Sequence, residues 1–354
     1  MLPLIAERLT SQLLSRPSPA GPVAVVAQLL AVQAQDARGF RLAVRARSTA
    51  DPAPQVTDLE AALNDGSLVV SWLNRGTLHL VRADDFWDLH ALTTPQLGAA
   101  VTRRLRQEGV GPEQAERGVE VCAQAVAEGP RTRGEMREAL DAAGVPTARQ
   151  ALIHVLFAAT LAGYLVRGPM RGSEQAFVSA PGWVGSPPPL DRPAALARLA
   201  RRYLSGHAPA DARDLARWAG ITLTDARAGF AALVDETCTR DDGLVELRDQ
   251  EPTVPPMPLS MPPKLLGAFD PLLLGWTSRA EIIGPHTNLV TDNGIFRPFV
   301  LVDGRAVGTW GLAGGVVTVT ALEPLAPDVE PALQQETAAV LRFLGLPEKP
   351  VVFR

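Results

Sequence analysis

The 354-residue sequence is poor in cysteine and contains no long apolar run. Its two cysteines, Cys122 and Cys238, lie far apart and match no metal-ligand spacing, which indicates thiols in a reducing compartment and argues against a disulfide scaffold. No stretch reaches the roughly 18 apolar residues of a transmembrane helix. The N-terminal segment is interrupted by Glu7, Arg8 and Gln12 and lacks the apolar core of a signal peptide. We therefore expect a soluble cytoplasmic protein with no membrane partner.

Lysine and net positive charge are also scarce. Only Lys264 and Lys349 are lysines among 34 basic side chains, and the net charge of −4 gives a pI of about 5.8. This balance argues against a protein that coats nucleic acid nonspecifically, although the local distribution of charge matters more than the sum. The hydrophobic fraction of 46% supports a large core, and the length is enough for roughly two to four domains.

The histidines do not suggest a metal site. Each stands alone in the sequence, with no second ligand at a suitable spacing. They are His79, His90, His154, His207 and His286. We therefore expect neither a metal ion nor another cofactor.

Two glutamines follow an apolar run near the N-terminus. Val25, Val26, Leu29 and Leu30 recur at helical spacing, so the residues before Gln33 are predicted to form a buried helix. Side chains two residues apart on a helix point about 200° away from each other. Gln33 and Gln35 can therefore act on one molecule only if the backbone is extended or the helix ends there. Ordinary polar residues at a helix end remain the alternative.

Arginines are concentrated directly after the glutamines. Arg38, Arg41 and Arg45 are spaced i, i+3 and i+7, which places them on one helix face, and Arg47 follows. No acidic residue interrupts this series. The pattern suits a helix that tracks nucleic-acid phosphates, and a solvated helix face is the alternative.

A pattern of helices followed by strands occurs three times, with a two-stranded hairpin in the first two copies and one predicted strand, Leu244–Leu247, in the third. The first hairpin combines Leu68–Leu73 and Thr77–Val81 around the turn Asn74–Gly76. Helices followed by such a hairpin are the outline of a winged helix. The last part of the chain contains several strand and turn signals and indicates a small barrel or curled sheet. The predicted units are residues 1–85, 86–185 (with a helical connector), 190–262 and 263–354.

Within the fourth unit, strands are predicted over Ile282–Ile283, Ile295–Val302, Ala306–Leu312 and Val316–Thr320, and a last helix over Glu330–Leu344. The proline-rich segments Pro255–Pro258 and Pro262–Pro263 separate it from the third unit.

Four phrases in this order resemble one protein family. They are Gln33–Asp36, Arg75–Val81, Phe269–Leu273, and the series Phe296–Pro298, Val302–Arg305 and Gly308–Trp310. Together they resemble the winged-helix DNA glycosylases of the AlkZ/YcaQ superfamily, bacterial enzymes linked to azinomycin resistance and to the unhooking of interstrand crosslinks. The resemblance covers almost the whole chain. It implies an α+β fold in which three tandem winged helices surround a C-terminal β-barrel and form a concave DNA-binding channel.

The resemblance also implies a reaction and its catalytic residues. Gln33 and Gln35 match the glutamine-x-glutamine signature, whereas a neighbouring subgroup has aspartate in the second place. The implied activity is hydrolysis of the N-glycosidic bond of cationic alkylated purines, of the N7-alkylguanine or N3-alkyladenine type, with bulky adducts and crosslinks as further substrates. A cationic base is already a good leaving group, so amides that orient water can suffice where most such enzymes use carboxylates. Asp36 is the alternative catalytic base.

Several further expectations follow from this resemblance. A monofunctional mechanism is expected because Lys264 and Lys349 lie far from the glutamines in sequence. The expected partner is double-stranded DNA with alkylated bases, bound by a monomer that is associated with the nucleoid. A noncatalytic winged-helix regulator or repair accessory is the alternative function.

The expected DNA contacts form two groups beyond the arginine series. Arg75, Thr77 and His79 alternate along one predicted strand and so share a face, which the resemblance places at the channel; a solvent-facing wing is the alternative. The segment from His286 to Gly294 is the candidate probe of a duplex groove, with Leu289 and Val290 as an apolar wedge or, alternatively, a plain barrel hairpin. Arg279, His286 and Asn288 complete the expected contacts.

Overall fold

The computed structural model describes residues 4–49, 52–249 and 261–354, and these form an α+β fold. The helices are α1 Leu4–Ser11, α2 Gly21–Leu29, α3 Ala37–Ala46, α4 Val56–Asn64, α5 Ala83–Thr93, α6 Gly98–Gln107, α7 Pro112–Ala127, α8 Arg133–Ala142, α9 Ala151–Leu161, α10 Ala180–Val184, α11 Arg192–His207, α12 Ala212–Ala219, α13 Leu223–Ala231, α14 Ala280–Ile283 and α15 Val329–Phe343. The strands are β1 Val32–Gln33, β2 Leu68–Leu73, β3 Thr77–Arg82, β4 Leu165–Arg171, β5 Glu174–Ser179, β6 Thr237–Thr239, β7 Val245–Leu247, β8 Lys264–Leu266, β9 Phe299–Val302, β10 Arg305–Ala313, β11 Val316–Ala321 and β12 Val352–Phe353. The segment Pro255–Pro258 lies outside the described residues. Within the described ranges, no helix combines the length and the apolar character needed to cross a bilayer.

The first sheet combines strands from the first two predicted units in the order β1-β3-β2-β4-β5. The hairpin β2–β3 forms as predicted, and β4–β5 forms the second hairpin. Antiparallel pairing of Val70 with Arg167 joins them into one sheet, which the sequence patterns did not predict. One face of this sheet, with Val69 and Val81, packs into the core shared with α5 and α11.

The backbone at the first glutamine, Gln33, is extended. Helix α2 ends at Leu29, and Leu30 adopts a positive φ of 63°, which turns the chain out of the helix. Val32 and Gln33 then pair with Leu80 and His79 of β3 as a short antiparallel edge strand. The predicted condition for the two glutamines to act together, an extended backbone or a helix end, is therefore met at Gln33.

Helix α3 begins immediately after this strand. The Asp36 carboxylate accepts a hydrogen bond from the Gly39 amide at 2.5 Å and so caps the helix. A side chain at position 39 would overlap the Ala268 carbonyl, so glycine allows α3 to pack directly on the segment that follows β8. The Asp36 cap and the close packing at Gly39 hold Gln35 and Asp36 between the first sheet and the C-terminal region.

The C-terminal strands form an open sheet in the order β12-β11-β10-β9-β8. The prediction of a closed barrel is wrong, because the edge strands β8 and β12 do not pair with each other in the described chain. Helix α15 buries Leu333, Val340 and Leu341 in the core beside this sheet. The sheet is therefore covered by a helix rather than closed on itself.

Two strand predictions in this region need correction. Ile282–Ile283 belongs to the short helix α14, which ends at Gly284 with a φ of 51°. The strand predicted from Ile295 begins only at Phe299. Pro298 directly precedes it and has no backbone N–H for the ladder, which accounts for the later start.

Arg47 is buried rather than part of a phosphate-tracking face. Both guanidinium nitrogens donate to the Asp270 carboxylate, at 3.0 and 2.7 Å, and neither side chain has exposed surface. The guanidinium also donates to Gln12 Oε1 at 3.2 Å and to the Ala43 carbonyl at 3.0 Å. This pair ties the C-terminal end of α3 to the turn at Phe269–Leu273, so the series of phosphate contacts predicted for α3 is wrong at this position.

Candidate active site

Three polar side chains form a row across the first sheet. Gln33 of β1 pairs with His79 of β3, and His79 pairs with Ser71 of β2. Directly paired residues project from the same face of a sheet and have Cβ atoms about 4.5–5.5 Å apart. The three residues are 7%, 3% and 1% exposed. This polar row therefore lies on the sheet face that packs toward α5 and α11.

Two oxygens of the polar row have no protein partner. Gln33 Oε1 and Ser71 Oγ are buried and find no hydrogen-bond partner in the described part of the chain. An unsatisfied buried polar atom costs about 1–3 kcal/mol, so native proteins retain few of them. Such atoms identify positions where a water molecule or a substrate group can be held.

His79 is a neutral imidazole. Its Nδ1 lies 2.9 Å from the Thr77 carbonyl oxygen, and because a carbonyl only accepts, Nδ1 must carry the proton. Burial, and secondarily the charge of Arg75, lower the pKa of His79 to about 3. Its Nε2 is therefore an acceptor at neutral pH, on the residue that pairs with Gln33 across the sheet.

The burial of two histidines predicts acid sensitivity of the fold. His207 lies stacked on Tyr203 with ring centroids 4.5 Å apart, and burial lowers its pKa to about 3, as for His79. Unfolded histidines take up protons below pH 6.5, whereas the folded ones stay neutral, so stability is complete above that pH and falls as the pH drops. Each group should contribute a slope of about 1.4 kcal/mol per pH unit.

Urea unfolding between pH 7 and 5 tests this expectation, because carboxylates with lowered pKa values do not titrate in that window. His207→Gln should reduce the slope by about one proton. Unfolding free energies that stay constant over this range would contradict the assignment.

Gln35 and Asp36 lie at the surface beside the polar row. Gln35 is exposed, and Asp36 is half-buried and engaged as the cap of α3. Asp36 also lines a cavity of about 390 Å³ between α3 and the C-terminal sheet, together with Arg38, Leu42 and Trp310. The structure thus places a buried amide at Gln33 and an accessible one at Gln35.

The remaining α3 arginines have different environments. Arg38 is exposed and donates to the Leu312 carbonyl at 3.3 Å. Arg41 lies 3.4 Å from Glu60. Arg45 makes a bidentate bond to Glu336, at 2.6 and 2.8 Å, so its guanidinium is paired within the protein. The neutralising acids come from α4 and α15, which the local sequence could not reveal.

Arg75 and Thr77 do not share an open strand face with His79. Arg75 lies in the turn before β3, where it adopts a φ of 50°, and its guanidinium donates to the carbonyls of Arg217 and Trp218, at 2.9 Å each. The Thr77 hydroxyl donates to the Asn74 carbonyl at 3.3 Å. The expected alternation along one strand is therefore wrong for Arg75, which lies in the turn, whereas Thr77 and His79 both belong to β3.

Leu289 is fully buried in the main core, so its prediction as a wedge is wrong. It ends a 3₁₀ turn over Thr287–Leu289. His286 Nε2 lies 3.2 Å from the Glu323 carboxylate, and Asn288 is exposed. Because the Leu289 side chain is buried in the core, this part of the segment has no exposed hydrophobic tip.

The exposed apolar residue of this segment is instead Ile295, with 51% of its surface accessible. It closes a tight loop in which the Thr291 amide donates to the Ile295 carbonyl at 3.0 Å. The Ile295 amide donates in turn to the Thr291 hydroxyl at 3.1 Å. Sequence reasoning missed Ile295 because it was assigned to a strand, although a β-branched residue directly after Asn293–Gly294 was a usable signal.

Comparison with known proteins identifies the class of enzyme. A family model described as "DNA glycosylase AlkZ-like" matches residues 26–343, which is most of the chain. The protein is a DNA glycosylase, and it belongs to the AlkZ-like family. The matched region contains the whole polar row, Gln35 and Asp36.

A curated protein and a solved structure support this assignment. The "Interstrand DNA cross-link repair glycosylase" of Streptomyces sahachiroi is 29% identical over an alignment that covers 92% of each chain. The structure of the Streptomyces sahachiroi DNA glycosylase AlkZ superposes with a TM-score of 0.81 at 26% identity, covering 99% of this chain and 98% of that one. The α+β fold is therefore that of AlkZ along nearly the full length.

Proposed function

We propose that the enzyme hydrolyses the N-glycosidic bond of cationic alkylated purines in double-stranded DNA, of the N7-alkylguanine or N3-alkyladenine type. Bulky adducts and interstrand crosslinks belong to the proposed range, in keeping with the name of the Streptomyces relative. The observation that carries the proposal is the buried, unpartnered oxygen of Gln33 beside a neutral imidazole. This arrangement can hold a water molecule without a charged protein group.

The chemistry requires little help from the protein at the leaving group. A cationic purine accepts the electron pair of the breaking C1′–N bond and departs as a neutral base. Gln33 Oε1 accepts a hydrogen bond from the attacking water, and His79, which pairs with Gln33 across the sheet, offers Nε2 as a second acceptor. The water oxygen bonds to C1′, and the released proton passes to solvent. We assign water positioning to Gln33 and Gln35 jointly, with amide dipoles that stabilise positive charge on the sugar.

The environment of Asp36 favours a structural role over that of a general base. One carboxylate oxygen accepts the Gly39 amide proton and holds the start of α3. A base must be free to take a proton from water. Capping therefore supports the amide mechanism, with Asp36 as the alternative base.

The positions of the lysines support a monofunctional mechanism. Lys264 Nζ donates to the Ala46 carbonyl at 3.1 Å, at the end of α3 remote from Gln33. A helix of ten residues is about 15 Å long, so this ammonium lies far from the polar row. Lys349 Nζ donates to the Gly314 carbonyl, also at 3.1 Å. Water is therefore the proposed nucleophile.

The proposed binding mode extends the expectations from sequence. We propose that the helices and hairpins act as winged-helix units around a concave DNA channel, in a monomer that works in the cytoplasm at the nucleoid. Arg38, with its exposed guanidinium, contacts a phosphate, and His286 and Asn288 lie beside the duplex. Ile295 replaces Leu289 as the apolar probe of the groove.

Product analysis tests the reaction. Duplex DNA with N7-methylguanine should yield the free base and an abasic site in an unbroken strand, and borohydride should trap no enzyme–DNA adduct. Neutral lesions such as uracil should not be released, because they lack the cationic leaving group. Release of uracil at a rate similar to N7-methylguanine, or a trapped adduct, would contradict the proposed mechanism.

A further inference from the structure

Arg75, Arg217 and Arg279 carry charges that act on one another, and none of them has an acidic partner among the described residues. Arg75 comes from the turn before β3, Arg217 from α12, and Arg279 from the residue that precedes α14. None of them forms an ion pair with an acidic group of the described chain. By contrast, Arg45 pairs with Glu336 and Arg202 with Asp85. These three residues are called the arginine triad below.

The turn before β3 contacts the end of α12 directly. The Arg75 guanidinium donates to two carbonyls of the last helical turn, those of Arg217 and Trp218, at 2.9 Å each. The approach is close, since a Cβ at Gly220 would lie 2.9 Å from the Arg75 amide nitrogen. A left-handed conformation at Arg75, with a φ of 50°, costs free energy that a structure retains chiefly at functional sites.

The third arginine is anchored to the same helix. The Thr277 amide donates to Asp214 Oδ1 at 2.8 Å, and Asp214 lies one helical turn before Arg217. Arg279 follows two residues later. Its guanidinium lies 5.0 Å from the centre of the Phe296 ring, and its Nε is buried without a hydrogen-bond partner among the described residues. The Arg279 side chain therefore packs on the face of Phe296, and its Nε–H is available to an acceptor from a ligand.

Charge repulsion connects the members of the triad. The positive charges of Arg217 and Arg279 both lower the pKa of Arg75, after burial, and the charge of Arg217 lowers the pKa of Arg279. The charge of Arg75 also acts on His79, which places this member of the triad next to the polar row. Three unneutralised like charges destabilise the folded protein, and a bound anion removes this cost.

We propose that Arg75, Arg217 and Arg279 bind one phosphodiester group of the damaged strand, adjacent to the nucleotide that is cleaved. This inference rests on the proposed function and adds to it a defined anchor for the DNA backbone. Guanidinium groups suit a phosphate because they donate in a planar, bidentate manner. A phosphate fixed beside His79 places the neighbouring deoxyribose near Gln33.

Binding of undamaged duplex DNA tests the triad independently of catalysis. Arg217→Gln is suitable because the side chain is exposed and Arg75 bonds only to its backbone carbonyl. Fluorescence anisotropy over a salt series should show about tenfold weaker binding and a slope of log K against log salt that is smaller by about 0.9. The matched control is Arg213→Gln, an exposed arginine on the same helix that pairs with Asp211. It should change the affinity by less than about twofold.

A single neutral methylphosphonate, moved stepwise along the damaged strand, locates the contact. Wild-type protein should lose about tenfold in affinity at one position next to the lesion, and Arg217→Gln should lose little more at that position. Unchanged affinity and salt slope in Arg217→Gln, an equal effect of Arg213→Gln, or purely additive losses at every position would overturn the proposal. If the triad binds DNA but the wild type releases no base, the proposed function is overturned instead. If the wild type releases base normally and Arg217→Gln binds DNA as the wild type does, only the triad is overturned.

Discussion

Replacing Gln33 and Gln35 together by alanine should slow the release of N7-methylguanine by about 10²- to 10³-fold under single-turnover conditions. Most of this loss is expected from Gln33, because its buried Oε1 has no protein partner and is free to orient water. Alanine at this position removes the acceptor and leaves His79 Nε2 alone beside the reacting centre. The measurement is the rate of free-base release from a defined duplex at saturating enzyme.

Controls for binding and folding separate a loss of catalysis from a loss of DNA binding or of stability. The double variant should bind undamaged DNA within about twofold of wild type, because neither glutamine supplies a positive charge for phosphates. Gln335→Ala, which removes an exposed glutamine on α15, should leave the release rate unchanged. Equal release by the wild type and the double variant would disprove the catalytic role of the two amides.

Asp270→Asn should lower the free energy of unfolding by about 3–5 kcal/mol. The substitution keeps the shape of the side chain but leaves the Arg47 guanidinium buried without a counter-charge. Arg47 has no exposed side-chain surface and is held by Asp270 at 2.7 and 3.0 Å, so water cannot compensate for the loss. Equilibrium unfolding in urea measures the change.

An exposed ion pair provides the comparison for Asp270. Glu323 lies 3.3 Å from Arg305 and 3.2 Å from His286 at the surface, and Glu323→Gln should cost no more than about 1 kcal/mol. A loss for Asp270→Asn that does not exceed that of Glu323→Gln would show that the buried pair is not a major source of stability.

Local signals predicted the elements that support the site. The apolar spacing before Gln33 predicted α2, and the turn Asn74–Gly76 predicted the hairpin β2–β3, to which Gln33 adds an edge strand. Helix α8 likewise begins with a capping box, in which the Thr132 amide donates to Glu135 at 2.6 Å. Each of these features depends on residues close together in sequence, where propensity and turn chemistry decide the outcome.

Long-range pairing explains what the sequence could not show. Arg45 and Arg47 find their acids at Glu336 and Asp270, more than two hundred residues away, so their α3 pattern suggested phosphate contacts instead. Leu289 and Ile295 are both apolar residues near a turn, and only tertiary packing buries the first and exposes the second. The row formed by Gln33, His79 and Ser71 likewise depends on a strand order that sequence spacing does not encode.

The catalytic claim rests on neutral amides rather than on a carboxylate, and a comparison of two single variants tests it most directly. Asparagine can replace aspartate as a helix cap, so Asp36→Asn removes the only carboxylate adjacent to the glutamines while α3 stays in place. In single-turnover release of N7-methylguanine, Asp36→Asn should remain within about threefold of wild type, whereas Gln33→Ala should lose about 10²-fold or more. A loss in Asp36→Asn as large as that in Gln33→Ala, at equal DNA binding, would contradict the amide mechanism and assign the base to Asp36.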